Sequence, residues 1–168
     1  MNAVLAYERK LYFKDTKDYL TAMITHEDNY LIWKYMTYLR REEAAKCKLT
    51  AYFWRRKKNN LGSRLGLQVY AGTCARGLHI WHYGSVIISG DAAVGENCTI
   101  HGQACIGSDG ASDAAPVLGK NVDIGVGAKI IGGVTLADNI RVGAGAVVVK
   151  SCETPGAILV GVPAGPVK

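Results

Sequence analysis

The chain has 168 residues, of which 49% are apolar, so it is long enough for one domain with a small appendage, and disorder is excluded as the default state. The formal charge of +6 favours anionic partners without selecting one. The five cysteines (Cys47, Cys74, Cys98, Cys105 and Cys152) are odd in number and have no CxxC pair, which excludes a disulfide framework and a thiolate zinc site and makes a reducing cytoplasm the expected setting.

Met1 to Lys10 carries Glu8, Arg9 and Lys10 and does not read as a secretory leader. No stretch approaches the roughly 18 uninterrupted apolar residues of a membrane span. Residues 1 to about 60 contain no Pro, and Gly first occurs at Gly62. Between Tyr19 and Cys47, apolar side chains such as Leu20, Met23, Ile24, Leu31, Met36 and Leu39 recur at three- and four-residue steps, which predicts a helix. A second helix is expected over Leu49 to Lys58, with Asn59, Asn60 and Gly62 as its stop. The run Phe53-Trp-Arg-Arg-Lys-Lys58 reads as a solvated helix face. Nucleic-acid binding is not expected of it, and peripheral contact with an anionic membrane is the alternative.

From Gly66 onward Gly, Val, Ile and Ala dominate. Stepping by six from Ile88 gives Val94, Ile100 and Ile106; resuming at Leu118 gives Ile124, Ile130, Leu136, Val142 and Val148. Gly follows at positions 95, 107, 119, 125 and 143, and small or apolar residues precede by two. A β-sandwich would drift out of such a frame. The pattern predicts a triangular prism of stacked parallel coils, three hexads to a coil, with the aliphatics inside. The division expected is a helical extension over 1–64 and the repeat domain over 65–168.

Between Ile106 and Leu118 the frame pauses for twelve residues, two steps of six. This small, polar, Gly-rich segment predicts a loop on one face. Of the four histidines, His26 falls in the helical part. An 18-residue coil puts His82 about one layer from His101, with the loop following, so these are expected to share a neighbourhood. His82 also falls in the aliphatic frame, six before Ile88; Gly84 could support a bulge that swings it outward.

Several segments resemble the serine acetyltransferases: Gly77-Leu-His-Ile-Trp-His82-Tyr-Gly-Ser-Val-Ile-Ile88, Glu96-Asn-Cys-Thr-Ile100, Ala104-Cys-Ile-Gly107, Gly125-Val-Gly-Ala-Lys-Ile-Ile-Gly132 and the ending Val160-Gly-Val-Pro-Ala164. The helical part, through Tyr38-Leu-Arg-Arg-Glu-Glu43, resembles the short forms found with capsule and lipopolysaccharide assembly. The resemblance implies an all-β left-handed parallel β-helix with a small α-helical N-terminal extension. It further implies an acetyl-CoA-dependent O-acetyltransferase acting as a homotrimer, without a metal. His82 is the implied general base and His101 a second catalytic histidine. Gly107, Ser108, Val126, Ala128 and Ala144 are implied to line the coenzyme A groove, with Lys129 and Lys150 toward its phosphates. Trp81, Tyr83, Asp109 and Asp113 are the candidates for the acceptor.

Two departures bear on that acceptor. The carboxylate that orients the histidine in the family is replaced by Tyr70, and Trp81 stands where an Asp usually precedes it. The family's Arg-His pair before Pro is Ala114-Ala115 here, which cannot form charge-assisted bonds to a carboxylate. A hydroxyl of a sugar or polysaccharide precursor is therefore the expected acceptor, with free serine as the alternative and a non-catalytic β-helix scaffold as a further one. A zinc site of His79, His82 and His101 is a rival reading, set against the differing directions of His79 and His82 on an extended chain.

Overall fold

The computed structural model describes residues 2–167. Four helices come first: α1 (Asn2–Tyr12), α2 (Thr16–Thr25), α3 (Asp28–Glu43) and α4 (Lys48–Leu65). Helix α2 opens where the Asp15 carboxylate accepts from Asp18 N at 2.8 Å and closes at His26 in a left-handed conformation, an ordinary cap at each end. Helix α4 runs through Asn59, Asn60 and Gly62, where a stop was expected, and ends at Gly66 with φ 66°. Gly62 lies within the helix at a place that admits nothing larger: a Cβ there would meet Leu67 O and the Tyr35 ring. Its absence of a side chain answers packing, not termination.

The strands follow as five coils. The first holds β1 (Leu67–Val69) and β2 (His79–Ile80). The second holds β3 (Val86–Ile88), β4 (Ala93–Val94) and β5 (Thr99–Ile100). The third holds β6 (Cys105–Gly107), β7 (Val117–Leu118) and β8 (Asp123–Ile124). The fourth holds β9 (Lys129–Ile131), β10 (Thr135–Leu136) and β11 (Arg141–Val142), and the fifth β12 (Val147–Val148) and β13 (Ile158–Gly161). A last strand, β14 (Ala164–Pro166), folds back antiparallel on β13; all the other pairings are parallel. The sides of the stack are the sheets β1-β3-β6-β9-β12, β10-β7-β4 and β14-β13-β11-β8-β5-β2. The hexad aliphatics are the buried interior, each worth roughly 1.5–3 kcal/mol when removed from water.

Pairing shows where coils lengthen. Ile88 lies against Ile106 and Ile124 against Val142, one regular 18-residue coil apart, whereas Ile100 lies against Ile124, 24 apart, because the loop adds one hexad. Ile80 lies against Ile100, 20 apart. The inward position is thus Ile80, not His82, and the corner between β2 and β3 carries two extra residues. Ser85 at φ 53° and Gly84 at φ 100° take up that corner, and His82 is exposed.

A parallel stack leaves an open edge of backbone groups at its first coil. The helices cover it. Tyr35 Oη accepts from Val69 N at 2.9 Å, and buried Lys58 donates to Val69 O at 2.8 Å. Arg40 donates to Cys74 O and Ala75 O at 2.8 and 2.7 Å, and buried Glu8, paired with Arg40 at 2.7 Å, accepts from Gly77 N at 2.8 Å. Tyr12 Oη accepts from Ile80 N at 3.1 Å, and its ring meets His79 edge-on at 4.9 Å.

His79 is held below the ordinary histidine range, first by burial and then by the nearby His101. Its neutral form is therefore favoured in the folded chain. As pH falls through the unfolded value of about 6.5, the unfolded chain takes up a proton that folded His79 resists, and stability is lost until the folded value is passed. Chemical denaturation followed between about pH 7 and pH 5 should show this loss, and His79→Phe should make the slope shallower.

Candidate functional site

The strands of the first sheet, two or three residues long, separate two stacked corners. One corner precedes the sheet and holds His82 to Ser85, Gly102-Gln103, Val126-Gly127 and Ala144-Gly145. Here Gly127 N donates to Gly102 O at 3.0 Å and Gly145 N to Val126 O at 2.8 Å. The other follows the sheet and holds Tyr70, Gly90, the loop 108–116, Gly132-Gly133 and Lys150. The Tyr70 ring lies over Gly90, while Asp109 and Ala114 pack on Gly132 and Gly133.

At the first corner His82 sits over Gly102, whose missing Cβ would stand 3.4 Å from the His82 Cβ. Tyr83 beside it is 37% exposed. Lys129 Nζ donates to Gln103 O at 2.8 Å and to Gly127 O at 3.1 Å, which draws its ammonium onto this corner. Val126 is exposed, and so is Ala144. Ala128 lies inside the prism, with its N–H given to Gly125 O and its carbonyl to Cys105 N; it has neither side chain nor backbone to offer a surface groove.

Adjoining this corner, on the outer face of the third sheet, the rings of Trp81 and His101 stack at 5.9 Å with 4° between planes, and His79 lies 5.0 Å from Trp81. His101 Nε2 is 2.7 Å from Asp123 Oδ1, and Arg141 Nε stands 3.6 Å from Asp123 Oδ2. The histidine with a carboxylate partner is therefore His101, not His82. Asp123 went unnoticed in the sequence although the hexad frame located it: with one hexad inserted, position 123 falls beside Thr99, next to the outward side of His101.

At the second corner the loop is organised by Asp109, whose Oδ1 accepts from Ala111 N, Ser112 N and Ser112 Oγ at 3.0, 3.0 and 3.2 Å. These bonds hold its carboxyl below the ordinary range, that from Ala111 first. Asp113, Ser108 and Lys150 are exposed, and Gly107 is half-buried. Within one chain strand β6 stands between this loop and His82, so the expected common neighbourhood divides in two: Val126, Lys129 and Ala144 belong with His82, and Gly107, Ser108, Asp109, Asp113 and Lys150 with the loop. Neither Asp109 nor Asp113 is at hand to orient His82. Among the described residues no three His, Cys, Asp or Glu side chains assemble as a metal ion would need, and His79, His82 and His101 do not converge.

The two buried thiols of the prism, Cys74 and Cys98, are poor nucleophiles: burial raises Cys74 to about 12 and Cys98 to about 11, far above the thiolate range useful near neutral pH.

No protein-family model matches the chain, and no curated protein does. Solved structures do. Serine acetyltransferase of Neisseria gonorrhoeae in complex with serine aligns with a TM-score of 0.75 at 24% identity, over 98% of this chain and 68% of that one. The soybean apoenzyme aligns at 0.77 and 19%, over 98% and 68%. The Brucella abortus strain S19 enzyme aligns at 0.76 and 22%, over 99% and 68%. The chain spans about two thirds of the length of each. These neighbours are serine acetyltransferases, the proteins its motifs resemble, and the chain, helices and coils together, shares their fold.

Proposed function

We propose that the chain is a left-handed β-helix acyltransferase that moves an acetyl group from acetyl-CoA to a hydroxyl acceptor in the cytoplasm, as a homotrimer. The observation that carries this reading is His82: it stands exposed on a corner lengthened by two residues, in a fold shared with serine acetyltransferases. Among the described residues no helix is long and apolar enough to cross a membrane.

A neutral imidazole at this place takes the proton of the acceptor hydroxyl. The freed oxygen attacks the thioester carbonyl, the C–S bond breaks, and coenzyme A leaves as the thiolate, which recovers the proton. Val126, Lys129 and Ala144 lie on the corner of His82, and Ser108 and Lys150 on the other. A coenzyme groove using both sets is completed between two copies, the loop of one facing the His82 corner of the next. Asp123 has a positioning role: by accepting from Nε2–H it leaves Nδ1 of neutral His101 as the unprotonated nitrogen.

Serine is the acceptor that the comparisons favour, since the neighbours are serine acetyltransferases and one was solved with serine. A sugar hydroxyl is the second reading. It is favoured by the loop 108–116, which holds Asp109 and Asp113 and no Lys, Arg or His, an unwelcoming charge for a carboxylate. Trp81, 52% exposed, offers its remaining face to a sugar ring.

Thiol release from acetyl-CoA, measured with L-serine and with a panel of sugars, tests the reading. Turnover with either supports acetyl transfer and names the acceptor; silence with all of them contradicts it. His82→Ala should lower kcat by about 100-fold or more with the melting temperature kept, and a variant of near-normal turnover would remove His82 from the mechanism.

Asp123→Asn should lower kcat roughly tenfold, because an amide can donate to Nε2 and reverse the tautomer. His101→Ala alone and the Asp123→Asn/His101→Ala pair should fall by the same factor, whereas additive losses would show that the two residues act independently.

A further inference from the structure

We infer that the outer face of α4 is a docking surface for an anionic phospholipid membrane, independently of the acyl-transfer reading. None of residues 48–57 is buried, so the first half of α4 projects from the core. At about 100° per residue, positions 49, 52, 53, 56, 57, 60 and 64 share one face. Its N-terminal half is apolar and open: Leu49 is 81% exposed, Tyr52 57% and Phe53 50%. Its C-terminal half is cationic and continues into a groove of about 520 Å3 against α3, lined by Lys34, Arg56, Lys57 and Arg64 together with Tyr38 and Phe53 and by no acidic residue.

Among the described residues the charge on this side is uncompensated. On the opposite side Arg55 and Lys58 meet Glu42 at 2.6 and 2.9 Å. Among the described residues no ion pair engages Lys34, Arg56, Lys57 or Arg64, and α4 contains no Asp or Glu at all. Lys57 Nζ lies 5.3 Å from the centre of the Phe53 ring, which places charge and apolar surface side by side.

An exposed apolar stripe beside cations is what an interfacial helix needs: side chains for the boundary of the acyl region and charges for the headgroups. A soluble polyphosphate would engage the cations and leave Leu49, Tyr52 and Phe53 in water. A second copy meeting face to face would bring the four cations against their own kind.

The test is co-sedimentation of the full chain with vesicles of phosphatidylcholine and with vesicles of phosphatidylcholine mixed with phosphatidylglycerol. Binding should require phosphatidylglycerol and weaken with salt. Arg56→Glu/Lys57→Glu should weaken it at least about tenfold. Lys10→Glu/Lys17→Glu, which changes net charge equally on other helices, should leave it near wild type. Leu49→Ser/Phe53→Ser should also reduce binding with an unchanged thermal melt. Equal binding to neutral vesicles, equal loss in the Lys10/Lys17 variant, or full binding by Arg56→Glu/Lys57→Glu would overturn the inference. So would vesicle-free self-association that the Leu49/Phe53 variant abolishes, since the face would then belong to a second copy.

Discussion

Backbone hydrogen bonding between successive coils governs everything else in this molecule. Each coil can satisfy its N–H and C=O groups only by matching the rise and register of the coil beside it. Every inward position is consequently tied to one above and one below, as Ile88 is to Ile106 and Ile106 to Ile130. Extra residues cannot be absorbed within a strand and must leave at a corner. The chain does this twice, with two residues around His82 and one hexad between Ile106 and Leu118. Both departures carry polar side chains into solvent.

The same constraint explains the helical part. A stack of coils has an open end, and the helices close it with named groups: Tyr35 and Lys58 on Val69, Arg40 on the carbonyls of residues 74 and 75, Glu8 on Gly77, and Tyr12 on Ile80. Burial of Glu8 and Arg40 is tolerable because each is paired and further bonded to backbone; either alone would be a buried charge without a partner. At the far end β14 folds back over β13.

The prism was legible because its signal is periodic and long: ten aliphatics in one hexad frame leave little freedom, and the frame even survives the loop. What escaped the sequence was local. His82 looked like a member of the frame because a corner lengthened by two residues is invisible without knowing that Ile80, not His82, is the inward residue. Gly62 looked like a helix stop because composition does not reveal that Leu67 O and the Tyr35 ring leave no room for a side chain. Helix α1 was not read at all, and its Glu8 and Tyr12 reach the first coil only through tertiary contact. Asp123 was within reach of register arithmetic, yet its pairing with His101 depends on which face of the sheet each occupies. Ala128 shows the reverse error: a residue placed in a groove by resemblance lies in the core.

In the proposed reading the two corners of one chain are complementary halves of a site, with His82 on one and the polar loop on the other, separated by a strand. Such a site is complete only where neighbouring copies meet, as proposed above. The most direct test is subunit complementation. A His82→Ala chain and a chain lacking residues 109–114, which returns that corner to one hexad, would be inactive alone. Mixed, dissociated and reassembled, they should regain acetyl transfer, because some interfaces then pair an intact His82 with an intact loop. Mixed assemblies that form but remain as silent as either parent would contradict a site shared between copies.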